Sequence, residues 1–189
     1  KMVPVCALLC IAMCVLKDKI AQANSVNQLK IESISTYNGL SNPQIYAVTK
    51  DHQGFMWFGS ADGILRYDGY QFTTFKHDSE HANSLSANSV GVLLFDSKNQ
   101  LWAGTWGGGL NLYQGNKTFE HFKHDPQNPR SLGANKVQAL FESRDGTLWV
   151  GTNGGGLNKL NSDQSGFQRF THDKHDPSSL GNNRVWSIA

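Results

Sequence analysis

Four His–Asp pairs are the first candidates for chemistry: His77-Asp78, His124-Asp125, His172-Asp173 and His175-Asp176. Such pairs could ligate a metal or act as a base with its orienting carboxylate. Three of them recur at spacings of 47 and 48 residues. Metal ligands must converge on one point, whereas equivalent residues of a repeat diverge. The pairs are therefore read as turn-forming Asp residues with a surface His. Gly107-Gly-Gly109 and Gly154-Gly-Gly156 suggest a phosphate loop. That loop needs a helix N-terminus behind it and usually a Lys. Here a strand-like segment follows, so the glycines are read as tight turns. Arg66, Arg130, Arg144, Arg169 and Arg184 fall at unrelated repeat positions, which argues against a carboxylate clamp. No Ser–His–Asp set can be argued, because such triads are recognised by geometry. The sequence calls for no catalytic residue, metal or cofactor. Trp106 remains, at a loop position held by Ala61 and Asn153 in the other units. An aromatic at a hairpin tip could stack on a sugar or peptide ring, and Trp106 is the one ligand-binding candidate. The alternative is a partly packed loop aromatic.

These residues sit in a periodic frame, which is sought before any other feature. Leu40, Leu85, Leu132 and Leu180 are separated by 45, 47 and 48 residues. Each opens a similar phrase: GLSNPQIYAV, SLSANSVGVL, SLGANKVQAL and SLGNNRVWSI. Ile45, Val90, Val137 and Val185 follow at one offset, and Trp57, Trp102 and Trp149 at another. Gly59, Gly104 and Gly151 come two residues after each Trp, and Phe75, Phe122 and Phe170 precede the last three Leu. Runs of four to six residues bounded by Gly, Asn, Asp and Pro predict four strands per unit. The first strands are Val90–Phe95 and Val137–Glu142; later ones include Leu148–Gly151, Leu157–Leu160 and Phe167–Phe170. Turns such as Asp51-His-Gln-Gly54 separate the first and second strands. Four strands in about 45 residues match a β-propeller blade. The expected fold is all-β: four-stranded antiparallel blades, three complete and a fourth reaching only its first strand. The recurring Trp and Phe are then inter-blade packing.

Composition agrees with a turn-rich globular protein. Of 189 residues, 17% are charged and 19 are Gly, which excludes a coiled coil. Lys1, Lys17, Lys19 and Asp18 carry the charge of the first 23 positions, and the remainder nets to zero. No basic footprint for nucleic acid remains. Cys6, Cys10 and Cys14 share one apolar stretch, so the rest has neither disulfides nor a Cys zinc site. Val3–Leu16 is uncharged and too short to span a membrane, but it suits a signal-peptide core. Ala21-Gln-Ala23 supplies the small-x-small cleavage pattern, with the cut before Asn24. Leu9 and Met13 before Cys10 and Cys14 are bulky for a lipoprotein site. The chain starts without Met, and its fourth unit stops early, so an excerpt of a longer protein is expected. The expected organisation is a signal peptide over 1–23, a strand segment over 24–38 and blades over 39–83, 84–130 and 131–178. A partial blade covers 179–189. Leu29–Ile34 is expected to pair onto the last blade of the complete ring.

Leu148-Trp-Val-Gly-Thr-Asn-Gly-Gly-Gly-Leu-Asn resembles the signature of the two-component regulator propeller repeat. The Phe-x-His-Asp-Pro-x-x-Pro-x-Ser-Leu connection from Phe122 to Leu132 is similar too, and the likeness runs over Gly39–Ala189. The first unit departs, because Gly59-Ser-Ala-Asp-Gly63 is one residue shorter than its later equivalents. The resemblance implies a signal peptide followed by blades outside the cytoplasmic membrane. It also implies a downstream membrane helix and a histidine kinase or diguanylate cyclase output. This chain would then be the N-terminal part of a periplasmic sensor propeller with no chemistry of its own. Its partners would be an oligosaccharide or other small soluble ligand and a second copy of the full-length sensor. Ser143-Arg-Asp-Gly-Thr-Leu-Trp149 also resembles the Asp-box hairpin of sialidase-type propellers, less one spacer residue. The alternative is an exported propeller acting as a polysaccharide lyase or glycosidase, and a third reading is a passive scaffold; fold alone does not choose.

Overall fold

A computed structural model describes residues 44–189. The calls on Ala21, Ala23, Asn24 and Leu29–Ile34 lie outside the described residues. The described residues form twelve β-strands and no helix. The first sheet holds β1 (Ile45–Lys50), β2 (Met56–Ser60), β3 (Gly63–Tyr67) and β4 (Phe72–Phe75). The second holds β5 (Val90–Phe95), β6 (Leu101–Thr105), β7 (Leu110–Gly115) and β8 (Thr118–Phe122). The third holds β9 (Val137–Glu142), β10 (Leu148–Thr152), β11 (Leu157–Leu160) and β12 (Phe167–Phe170). Each sheet is an antiparallel meander in chain order, which is the anticipated propeller blade. The innermost strands β1, β5 and β9 are neighbours.

The turn after each first strand explains the Trp beyond it. Asp51 Oδ1 accepts from the backbone N–H of Gln53 and Phe55, while its Oδ2 accepts from Trp57 Nε1 at 2.9 Å. Asp96 does the same for Lys98, Gln100 and Trp102. In the third blade the hydroxyl Ser143 Oγ stands in as acceptor for Trp149 Nε1, at 3.2 Å. Gly54, Asn99 and Gly146 take the positive-φ position that closes each turn. One carboxylate thus shapes the turn and satisfies the indole N–H that burial would otherwise orphan.

Blades meet through two cores. Trp57 and Phe75 of the first blade pack with Leu93, Ala103 and Phe119 of the second. Trp102 and Leu112 of the second pack with Val150, Leu160 and Phe167 of the third. The Trp and Phe of a blade pack ring against ring, with centroids 5.4 Å apart for the stacked Trp57–Phe75 and 5.7 Å for the tilted Trp102–Phe122. The Gly two residues past each Trp is fixed by close approach. A Cβ on Gly104 would lie 2.5 Å from Val137 Cγ1, and one on Gly151 2.8 Å from Val185 Cγ1. The first residue of each following strand therefore seats in a notch that only Gly leaves open.

The fourth copy of the phrase docks without forming a ladder. Val185 N donates to Thr152 O at 3.1 Å, and Asn153 bridges Arg184. In the other units the first strand obtains its ladder from the second strand of its own blade, as β5 does from β6. Among the described residues, 179–189 have no such partner.

Candidate functional site

The sequence-marked residues separate into scaffold and rim. Each repeated imidazole is tied to the connection that follows it. Nδ1 of His77, His124 and His172 lies 2.7–2.8 Å from the carbonyl of Leu85, Leu132 and Leu180. Their backbone N–H groups donate to the side chains of Asn88, Asn135 and Asn183. The neighbouring Asp N–H groups donate to Ser84, Ser131 and Ser179 Oγ. These residues close the path from one blade to the next. His175 N donates to Asp173 Oδ1, which is an Asx turn. His81, not marked in the sequence, forms an exposed pair with Asp78 at 2.8 Å.

The Gly triplets also spend their donors within the fold. Gly107 N and Gly109 N both donate to Asn135 O, and Gly154 N and Gly156 N both donate to Asn183 O. A nest whose N–H groups already hold a carbonyl does not cradle a phosphate. Gly109 and Gly156 combine positive φ with close approach to the carbonyls of Phe122 and Phe170, so both require glycine. The arginines do not converge. The Arg66 guanidinium lies over Phe55, Arg130 reaches Ser165 Oγ, and Arg169 clamps the carbonyls of Asn128 and Ser131. His121 fills the place of Arg169 one blade earlier, with Nε2 2.7 Å from Ser84 O.

Trp106 lies at the inner rim. Its N–H donates to Ser89 O at 2.9 Å, the bond that Asn153 N makes to Lys136 O in the next blade. Its ring stacks on Tyr46, with centroids 4.8 Å apart and planes at 28°. Lys136 Nζ sits 5.2 Å from the ring centroid, within cation–π range. The cluster joins three blades: Tyr46 is the second residue of β1, Trp106 follows β6, and Lys136 precedes β9 and bridges Trp106. Trp106 remains 43% exposed and Tyr46 42%.

Sequence reasoning passed over the partners of Trp106. Tyr46, Gly91 and Gln138 occupy one offset of the repeat, and Trp186 holds it in the fourth unit. All three ladders skip this residue: Ile45 and Ala47, Val90 and Val92, and Val137 and Ala139 pair on either side of it. A β-bulge of this kind turns its side chain out of the ladder. The available signal was a position varying among Tyr, Gly, Gln and Trp directly after an invariably β-branched one.

At the opposite end of the strands a polar cleft of about 560 Å³ opens between the second and third blades. Asp96, Lys98, Glu142 and Lys159 line it. Glu142 is engaged there, accepting from Ser97 N at 2.7 Å and Ser97 Oγ at 2.6 Å.

The model of the two-component regulator propeller family matches residues 39–62, 84–107 and 131–154. A histidine kinase of Formosa agariphila is 29% identical over 55 residues, covering 29% of this chain and 4% of that protein. The extracellular domain of a hybrid two-component system from B. thetaiotaomicron is 27% identical with a TM-score of 0.73, over 82% of this chain and 22% of that one. The extracellular domain of a one-component system from the same organism is 26% identical with a TM-score of 0.67, over 85% and 21%. The chain thus spans about a fifth of the solved domains it matches and a small part of the kinase. Its matched segments each run from the Leu phrase through the Trp-x-Gly strand, the features that build the blade joints. Three segments of the chain thus match the two-component regulator propeller repeat, and its blades resemble those of extracellular domains of two-component systems.

Proposed function

We propose that this chain forms the N-terminal blades of an extracytoplasmic, periplasmic sensor propeller in a bacterial membrane signalling protein. Its role is to bind a soluble ligand, an oligosaccharide, or to provide dimer contact, without altering what it binds. Output comes from a histidine kinase or diguanylate cyclase elsewhere in the protein. The observation that carries this reading is the likeness of all three blades to extracellular domains of two-component and one-component systems. The engaged His, Gly and Arg residues support it, because their polar groups serve the blade connections. A ring of blades can hold one ligand by several blades at once. Such binding shifts signalling only through different affinity for two arrangements of the sensor, here two arrangements of a dimer. The test incubates the whole protein's extracytoplasmic region with polysaccharide fragments and follows heat of binding and product formation together. Binding without products is expected. Turnover that survives removal of contaminating enzymes would overturn the sensor reading and favour a polysaccharide lyase or glycosidase.

A further inference from the structure

We infer that the inner rim recognises an acidic saccharide, whose rings stack on the rim aromatics and whose carboxylate or sulfate groups pair with Lys136 and Arg184. This rests on the sensor reading above. The bulged position after each inner-strand entry faces out of the ladder in three successive blades. It carries Tyr46, Gly91 and Gln138, and the offset places Trp186 next. Gly91 does not leave a gap. A Cβ there would collide with Trp106 Nε1, so the indole from the hairpin tip occupies the space of the missing side chain. The rim therefore reads Tyr46, Trp106, Gln138, Trp186. Tyr46 and Trp106 stack on each other and stay exposed by 42% and 43%. Large aromatics exposed side by side mark a binding surface more often than a packing accident. Gln138 Oε1 is buried and accepts no hydrogen bond among the described residues.

Charge narrows the ligand class. Lys136 and Arg184 hold the same repeat position, directly before β9 and before Val185. Neither forms an ion pair among the described residues. Of the β2–β3, β6–β7 and β10–β11 tips, only the first carries an acid, Asp62, and it is paired with Lys76. The rim thus presents unpaired positive charge beside aromatic faces, although the portion from Asn24 onward nets to zero. A neutral glycan would use the aromatics and leave both cations idle, whereas a carboxylate or sulfate engages them.

The test is calorimetry on the whole protein with tetragalacturonate, a chondroitin sulfate tetrasaccharide, neutral galactotetraose and pentaglutamate. Both acidic saccharides should bind about tenfold or more tighter than the neutral one, with affinity falling as salt rises. Lys136→Gln and Arg184→Gln should each weaken acidic binding about tenfold and flatten its salt dependence, with a smaller effect on neutral binding. Trp106→Ala should weaken both kinds. Equal or tighter binding of the neutral sugar overturns this inference and leaves the sensor reading intact. Preference for pentaglutamate, or salt-independent affinity in the unsubstituted protein, overturns it without recourse to any variant. Release of cleaved products instead defeats the sensor reading itself.

Discussion

At the scale of single residues, the blade depends on side chains that serve two neighbours at once. Asp96 caps its turn through one oxygen and accepts from Trp102 Nε1 through the other, and Trp102 is 1% exposed. Asp96→Ala opens the turn and leaves a buried indole N–H without an acceptor, at a cost of about 1–3 kcal/mol. Ser143→Ala should cost less, because Trp149 is only half-buried and its bond is longer. Denaturant unfolding of the two variants checks the order, and equal losses would refute it. His121 adds a pH dependence. Burial holds its imidazole below the usual pKa, reinforced by the positive charges of Lys123 and His77, while the bond to Ser84 O opposes the shift. The folded state therefore takes up a proton less readily than the unfolded one. Its stability contribution is intact above the unfolded value of about 6.5 and falls as pH drops through the lower folded value. Asp68, Asp78, Asp145, Asp163 and Asp176 are held below 3.8, mainly by local hydrogen bonds, and stay ionised across that window. Thermal melts should drop from neutral to mildly acidic pH, and His121→Gln should flatten the slope. An unchanged slope would show that another group governs it.

At the scale of elements, the joint between blades is a β-branched residue set against a glycine. Gly104→Ala would drive a Cβ into Val137, whereas Gly181→Ala meets nothing within 4 Å. The first should destabilise by about 1–3 kcal/mol through overpacking. The second should stay within about 0.5 kcal/mol. Comparable losses in equilibrium unfolding would mean that the notch is not the joint. The strands themselves were legible in the sequence. Phe167–Phe170 and Leu157–Leu160 are bounded by turn residues on both sides, and the structure keeps those bounds. The Trp–Phe pairing was legible too, because large apolar residues at a fixed offset have few places to go except between sheets. The bulge at Tyr46, Gly91 and Gln138 was not legible, since its residues continue the strand pattern and only the pairing register skips them. The seat of Trp106 was hidden for a related reason. It depends on the absence of a side chain at Gly91, fifteen residues away on another strand, which no local pattern reports. The His and Asn of the connection were readable as turn formers, but their carbonyl and amide partners belong to three-dimensional closure.

At the scale of the whole molecule, the reading as an exported sensor makes a demand on the first residues of the sequence. The net positive charge resides in Lys1, Lys17 and Lys19, and the portion from Asn24 onward is neutral. An apolar stretch followed by Ala21-Gln-Ala23 suits signal peptidase, while its fourteen uncharged residues fall short of a span of about 20. Lys17-Asp18-Lys19 lies between that stretch and the cut, so cleavage at this site is the sharper half of the expectation. Expressed with its complete leader in a Gram-negative host, the protein should yield extracytoplasmic material that begins at Asn24. N-terminal sequencing of that fraction decides the matter. Material that keeps Cys6, Cys10 and Cys14 would mean a retained anchor. Protein found only in the cytoplasm would remove the blades from the compartment where an external saccharide could reach their rim.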